Sequence, residues 1–302
     1  MRYRLIFIVL SLVAWTSCYD EDALVPTETS EFNYTLPQGD HDYDTKIVDW
    51  NERCGFYVLY KFEPRDIYWN IRNWLETGTT EMAGDKFIAT PADEACIGRL
   101  LDVFERRFLN FYPDTMLRRC MPLKVLLCSD LHEDFYGTPV ERSIRFGLDF
   151  LALNGANENF QTKTPHQIDL LKDTVNLSFI YRLTENEKIA LSEEFLSVSS
   201  YKEKTVSNEE MYGWGYIVSS SYYPKEKNND WKEYLQAIIK NPYDYLNAEP
   251  VAGDTSFKGI LHEKKDVNKK IRQKYDILIR YFKSEYGVDL QAIGNSKEPI
   301  RE

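Results

Sequence analysis

The order in which two kinds of apolar pattern follow one another along the chain restricts the fold more than any other feature. In the first half, runs rich in β-branched and aromatic residues stand out: Gly55-Phe56-Tyr57-Val58-Leu59-Tyr60-Lys61-Phe62, the stretch 123–129 around Leu123-Lys124-Val125-Leu126-Leu127-Cys128, and the stretch 144–153. Their length and composition predict strands. Between the first two, Ile97, Leu100, Leu101, Val103, Phe104 and Phe108 recur near helical spacing and predict a helix over Ala92 to Phe111, entered after Pro91. From residue 164 onward the helical period takes over. Thr164-Pro165 has the form of an N-cap followed by proline at the first helical position, and Ile168, Leu170, Leu171, Val175, Phe179 and Ile180 continue the pattern. Further helices are predicted at 186–197, 229–240 and 267–285. An N-terminal strand-containing part followed by a mainly helical C-terminal part reads as an α+β domain.

Ahead of this part, Arg2 and Arg4 precede an apolar run from Leu5 to Trp15 that is too short for a permanent membrane span and suits the core of a signal peptide. It ends in Trp15-Thr16-Ser17-Cys18, where small residues beside a cysteine fit cleavage before Cys18 and lipidation of its sulfur. Trp15 is bulkier than such a cleavage site favours. The acidic Tyr19-Asp20-Glu21-Asp22 that follows resembles the patch that directs Bacteroidetes lipoproteins to the outer face of the outer membrane. Residues 1–17 are thus expected to be a lipoprotein signal peptide. Residues 18–45, with Pro26, Pro37 and Gly39, are expected to be an acidic flexible tether, and 46–302 the folded domain, beginning near Ile47. The lipid is the only membrane attachment expected, because no second apolar segment approaches membrane length.

Removing residues 1–17 takes Arg2 and Arg4 away and leaves 35 basic against 48 acidic residues, a formal charge of −13. A surface this acidic argues against a nucleic-acid partner. The mature chain keeps Cys54, Cys96, Cys120 and Cys128 besides Cys18. Four cysteines allow three pairings and the sequence favours none; Cys128, inside an apolar β-like run, suits a buried thiol as well as a bridge. No Cys-x-x-Cys spacing is present to hold a metal.

Several short segments, taken in order, resemble a known family: Tyr57-Val58-Leu59-Tyr60-Lys61-Phe62, Glu194-Phe195 followed by Tyr201, and Gly215-Tyr216-Ile217-Val218-Ser219-Ser220. Two more are Asn229-Asp230-Trp231-Lys232-Glu233 and the closing stretch from Lys270-Ile271-Arg272-Gln273-Lys274 to Tyr286-Gly287-Val288-Asp289-Leu290. The chain is similar, over roughly 46–292, to the zinc-binding metallopeptidase lipoproteins of Bacteroidetes that are associated with substrate import. The resemblance implies a zincin-like fold and a zinc held by His-Glu-x-x-His on a central helix, because residues four apart share a helical face and the glutamate polarises the attacking water. Here the corresponding helix contains Leu177-Ser178-Phe179-Ile180-Tyr181, which puts Leu177 and Tyr181 at the two histidine positions and Ser178 at the general base. With only His41, His132, His166 and His262 in the chain, the motif is absent in any register. The resemblance therefore implies a divergent member whose zinc ligands are not retained.

The remaining candidates are weaker. Asp230 and Glu233 stand one helical turn apart where an active relative could complete the metal shell; without imidazoles, a solvated or capping role at a helix start is expected. His132-Glu133-Asp134 reads as a surface loop, and His262-Glu263-Lys264-Lys265-Asp266 as a charged, solvated helix start. His166, Asp169 and Asp173 share one helical face and form the best residual ligand set, although such a set is more often a polar outer face. Ser219-Ser220-Ser221 lacks a nucleophile elbow and a histidine partner, and no phosphate-cradling glycine loop exists. Trp69, Trp74 and Tyr222-Tyr223 could present flat surfaces to sugar rings or peptides.

Three readings therefore stand. The first is a catalytically inactive zincin-like surface lipoprotein, a pseudoenzyme that binds a glycan or peptide, or works beside a TonB-dependent transporter and its partner lipoprotein in nutrient import. The second is a hydrolase, either zinc-dependent with a non-standard site near His166 or working without metal. The third is a structural subunit of an importer without a ligand of its own.

Overall fold

The computed structural model describes residues 34–67, 86–135, 138–202, 207–219 and 224–298. Cys18, the leader, most of the expected tether, Trp69, Trp74, Ser220, Ser221, Tyr222 and Tyr223 lie outside them. A folded unit spans Leu36–Glu302, so it starts ahead of the expected boundary at 46. The reason is local: Leu36 packs against the core, and Gln38 Oε1 accepts from the backbone of Tyr60 at 2.7 Å. The buried Asp44 accepts from the Tyr60 hydroxyl at 2.9 Å.

The first helix, α1 (Asp44–Cys54), buries Ile47, Trp50 and Cys54 and stops at Gly55, whose left-handed backbone (φ 81°) only glycine adopts without strain. Strands β1 (Tyr57–Leu59) and β2 (Lys86–Pro91) follow. The helix expected over Ala92 to Phe111 divides into a turn of 3-10 helix at Glu94–Cys96, α2 (Ile97–Arg107) and another such turn at Leu109–Phe111. A short helix, α3 (Asp114–Cys120), leads into β3 (Lys124–Phe135), and β4 (Thr138–Glu141), β5 (Ile144–Phe146) and β6 (Phe150–Asn154) complete the described sheet.

Twelve-residue β3 organises the sheet. Its first half runs parallel to β1 and β6, pairing Val125 with Val58 and Leu151. Its second half is antiparallel to β2 and β4, pairing His132 with Ile88 and Glu141. The parallel half is covered on both faces, which is why Val125, Leu126, Leu127 and Cys128 are all fully buried. The stretch 144–153 is not the single strand expected. It folds back at Gly147-Leu148-Asp149 into an antiparallel β5–β6 hairpin, closed by the Gly147 amide donating to Phe150 O at 2.9 Å.

Beyond the sheet come α4 (Pro165–Glu185), α5 (Lys227–Lys240), α6 (Lys270–Tyr286) and α7 (Leu290–Asn295). Of the helix expected at 186–197, only Glu193–Ser197 is helical; the α4 C-cap falls at Asn186, and Glu187 turns to positive φ. The result is an α+β unit with a mixed sheet, its helices divided between the sheet part and the C-terminal half. Among the described residues, no helix is long and apolar enough to cross a membrane. Cys54, Cys96, Cys120 and Cys128 are all free thiols.

Candidate functional site

Helix α4 is buried along much of its length, and its sequence makes it so. Thr164 and Gln167 form a reciprocal capping box, with Pro165 at the first helical position. Ile168, Leu171, Val175, Leu177, Phe179, Ile180 and Leu183 are buried around most of its circumference, as expected of a helix enclosed by its neighbours rather than lying on the surface. The polar residues inside are tied down. Asn176 accepts from Tyr112 at 2.9 Å and donates to Arg107 O, while Lys172 Nζ donates to Ile239 O and Ile293 O near the ends of α5 and α7.

The three positions that the resemblance puts at the zinc motif face different surroundings. Leu177 is in the core. The Tyr181 hydroxyl donates to Lys232 O at 2.9 Å, and the Lys232 ammonium stands 5.3 Å from its ring centre; burial and then the charge of Glu233 push its pKa up to about 12. Ser178 opens into a cleft of about 580 Å³ lined by residues of α4 and of β3, β4 and β5, whose walls include Glu133, Arg142, Arg145, Phe146 and Thr174.

On the other side of α4, helix α5 presents Asp230 and Glu233, and neither is solvated as the sequence suggested. Asp230 is fully buried; its Oδ2 takes the Lys274 ammonium at 2.5 Å and the Tyr201 hydroxyl at 2.6 Å. Lys274 Nζ also donates to Gly215 O at 3.1 Å. It sits 4.9–5.4 Å from the ring centres of Phe195, Tyr201, Tyr216 and Tyr234, a cage that favours a desolvated cation. Glu233 pairs with the buried Lys225 at 2.6 Å, and Lys225 also donates to Val218 O at 2.8 Å. Burial, opposed by Lys225, pushes the Glu233 carboxyl up to about 7.

His166, Asp169 and Asp173 do not converge as a ligand set. His166 is exposed; Asp169 is held by the Arg107 guanidinium and the Glu298 amide; Asp173 is buried against Lys172 at 2.8 Å. His132 and Glu133 belong to β3 rather than to a loop, and Glu133 is clasped by Arg142 and Arg145. In the His262 segment the expected solvation fails at two residues: Lys265 and Asp266 are buried, and Asp266 caps α6 by accepting from the Ile271 and Arg272 amides. Neither the lysine partners of the acids nor the arginine partners of Glu133 were read from the sequence. Lys274 does lie within one of the segments that carry the family resemblance.

A model of the family described as "Putative zinc-binding metallo-peptidase" matches residues 69–291. The chain belongs to this family. A crystal structure of the same description, from Bacteroides caccae, is similar at 12% identity and a TM-score of 0.46, covering 84% of this chain and 91% of that one. No curated protein matches.

The family name implies zinc, and the residues of the helix that the resemblance assigns to the zinc motif do not fit it. Zinc is held by imidazole, thiolate or carboxylate donors that converge at about 2 Å. Leucine supplies no donor at 177, and the Tyr181 hydroxyl is spent on a backbone carbonyl. Each of the two nearby carboxylates already holds an ammonium. Among the described residues, no three His, Cys, Asp or Glu side chains form a metal-holding group.

Proposed function

We propose that this metallopeptidase-family chain works by binding rather than catalysis: a zincin-like scaffold whose metal position has been replaced by internal ion pairs. The observation that carries this reading is the Asp230–Lys274 pair beside an α4 helix with Leu177, Ser178 and Tyr181 at the motif positions. Breaking such a pair to admit a metal would also strip an ammonium of its buried partner. The protein is read as a lipoprotein anchored through Cys18 to the outer membrane and facing the cell exterior. There it serves nutrient import beside a TonB-dependent transporter and a partner surface lipoprotein, and takes a peptide or glycan in the cleft next to Ser178. The hydrolase reading around His166 draws no support from the geometry, because Asp169 and Asp173 are already paired.

Elemental analysis of the purified mature protein tests the central point: sub-stoichiometric zinc after exposure to the metal is expected, and one tightly held zinc per chain would overturn the reading. Mass spectrometry of the N-terminal peptide should find a diacylglyceryl group on Cys18, and protease added to intact cells should remove the domain. Affinity purification from membranes should recover an outer-membrane transporter.

A further inference from the structure

The cleft beside Ser178 carries more chemical information than its position. Glu133 on β3 holds two arginines at once: Arg142 Nε donates to Oε2 at 2.9 Å, and an Arg145 terminal nitrogen donates to Oε1. Both carboxylate oxygens are thereby used, while each guanidinium spends one donor group of several. Arg145 is further fixed by lying 4.1 Å from the Phe87 ring centre. The two side chains stay 43% and 23% exposed, so their remaining N–H groups are open to the cleft. With Glu133 the trio carries a net positive charge in a chain whose formal charge is −11. The other acid in the walls, Glu141, accepts from Asn154 Nδ2 at 3.3 Å and formally balances that charge over the whole lining, so the positive charge belongs to the Glu133 corner of the cleft.

The facing helix completes the arrangement. Thr174 and Thr184 turn their hydroxyls back onto the α4 carbonyls of Leu170 and Ile180, at 2.8 and 3.1 Å, the usual resort of a hydroxyl inside a helix. Ser178, between them on the cleft side, makes no such bond and no other to a described residue, so its hydroxyl is available across from the arginines. Ile144 and Phe146 add apolar wall.

We propose that this cleft captures the free carboxylate of a short peptide, with Arg142 and Arg145 as the paired donors, Ser178 as a third, and the adjoining side chain against Ile144 and Phe146. Planar guanidinium forks match the two coplanar oxygens of a carboxylate, and the cleft of about 580 Å³ has room for a few residues. The proposal rests on the binding reading above and names its ligand class.

The test is affinity selection by the full mature protein from a library of N-acetylated tripeptides offered once as free acids and once as C-terminal amides, with mass-spectrometric readout. Free acids should be enriched, with binding of the best sequence weakened by about tenfold or more on amidation, the scale of one charge-assisted pair. Arg142→Ala and Arg145→Ala should each abolish the preference for the acid. Arg142→Lys keeps a charge at lower cost to the fold and should weaken binding without removing it, while circular dichroism melts report whether each variant is folded. Equal enrichment of amides, no enrichment at all, or an acid preference that survives both alanine variants would overturn the proposal. So would binding of digalacturonate in place of the peptides, which would assign the arginines to an acidic sugar. None of these outcomes touches the zinc measurement, so the binding reading can stand if this one falls.

Discussion

Replacing Lys274 with methionine removes the ammonium from Asp230 while keeping most of the side-chain volume. The pair is fully buried on both sides, and burial alone pulls the lysine pKa down and pushes the aspartate up, each held back by the partner's charge. Loss of one member of such a pair costs about 3–5 kcal/mol. The upper part of that range is expected, because four aromatic rings also lose their cation. Against a total stability of about 5–15 kcal/mol this is a large fraction. Gly215 O keeps the Tyr234 hydroxyl at 2.8 Å, so the main new cost is the carboxylate. In the variant Asp230 relieves that cost by taking up a proton, and its folded pKa then lies well above the unfolded one. The contribution of that proton is fully present below the unfolded pKa and lost as pH rises through the folded value, so Lys274→Met should be closest to wild type in acid and fall furthest behind at neutral pH. Urea titrations at pH 5 and pH 7, extrapolated linearly, measure both. Adding Asp230→Asn keeps an acceptor for Tyr201, removes the charge and should recover most of the loss. A Lys274→Met protein within about 1 kcal/mol of wild type at pH 7, well short of the broken-pair cost, would refute the argument, as would a double variant no more stable than the single one.

Other measurements follow from the same geometry. Because the Glu233 carboxyl is raised from 4.5 to about 7, its contribution to stability should fall as pH rises through that interval, and Glu233→Gln should flatten the slope between pH 5 and 7.5 in urea titrations. Gly294→Ala should destabilise by roughly 1–3 kcal/mol, since a Cβ there collides with the Ile238 and Asn241 carbonyl oxygens; a thermal melt unchanged from wild type would contradict this. Thr164→Ala removes the side-chain half of the α4 capping box and should cost about 1 kcal/mol by urea titration. All four cysteines of the folded unit are free, so Ellman's reagent should count four thiols in the unfolded mature protein, with Cys120 reacting first in the native state and the fully buried Cys128, its thiol pushed up by burial, last.

What the sequence alone determined is what acts within a turn or two of the backbone. Thr164 and Pro165 mark the start of α4 because an N-cap and the proline after it act within a residue or two of the helix end. The apolar run at 123–129 announces the β3 core because a strand covered on both faces needs continuous hydrophobicity. The four histidines exclude the His-Glu-x-x-His motif by their spacing, since no two stand four residues apart. Tertiary structure decided the rest. The Gly147-Leu148-Asp149 turn splits an apparently continuous run only because β6 is claimed by β3 on its other side. His132 and Glu133 become strand residues because β2 and β4 flank them. Asp230 reads as a solvated helix-start acid until α6 brings Lys274 to it from 44 positions away. Local signals carry no information about which charge meets which across such separations. Packing chooses the partner, and because a buried charge cannot stand alone, that choice separates a carboxylate free to hold a metal from one committed to an ammonium.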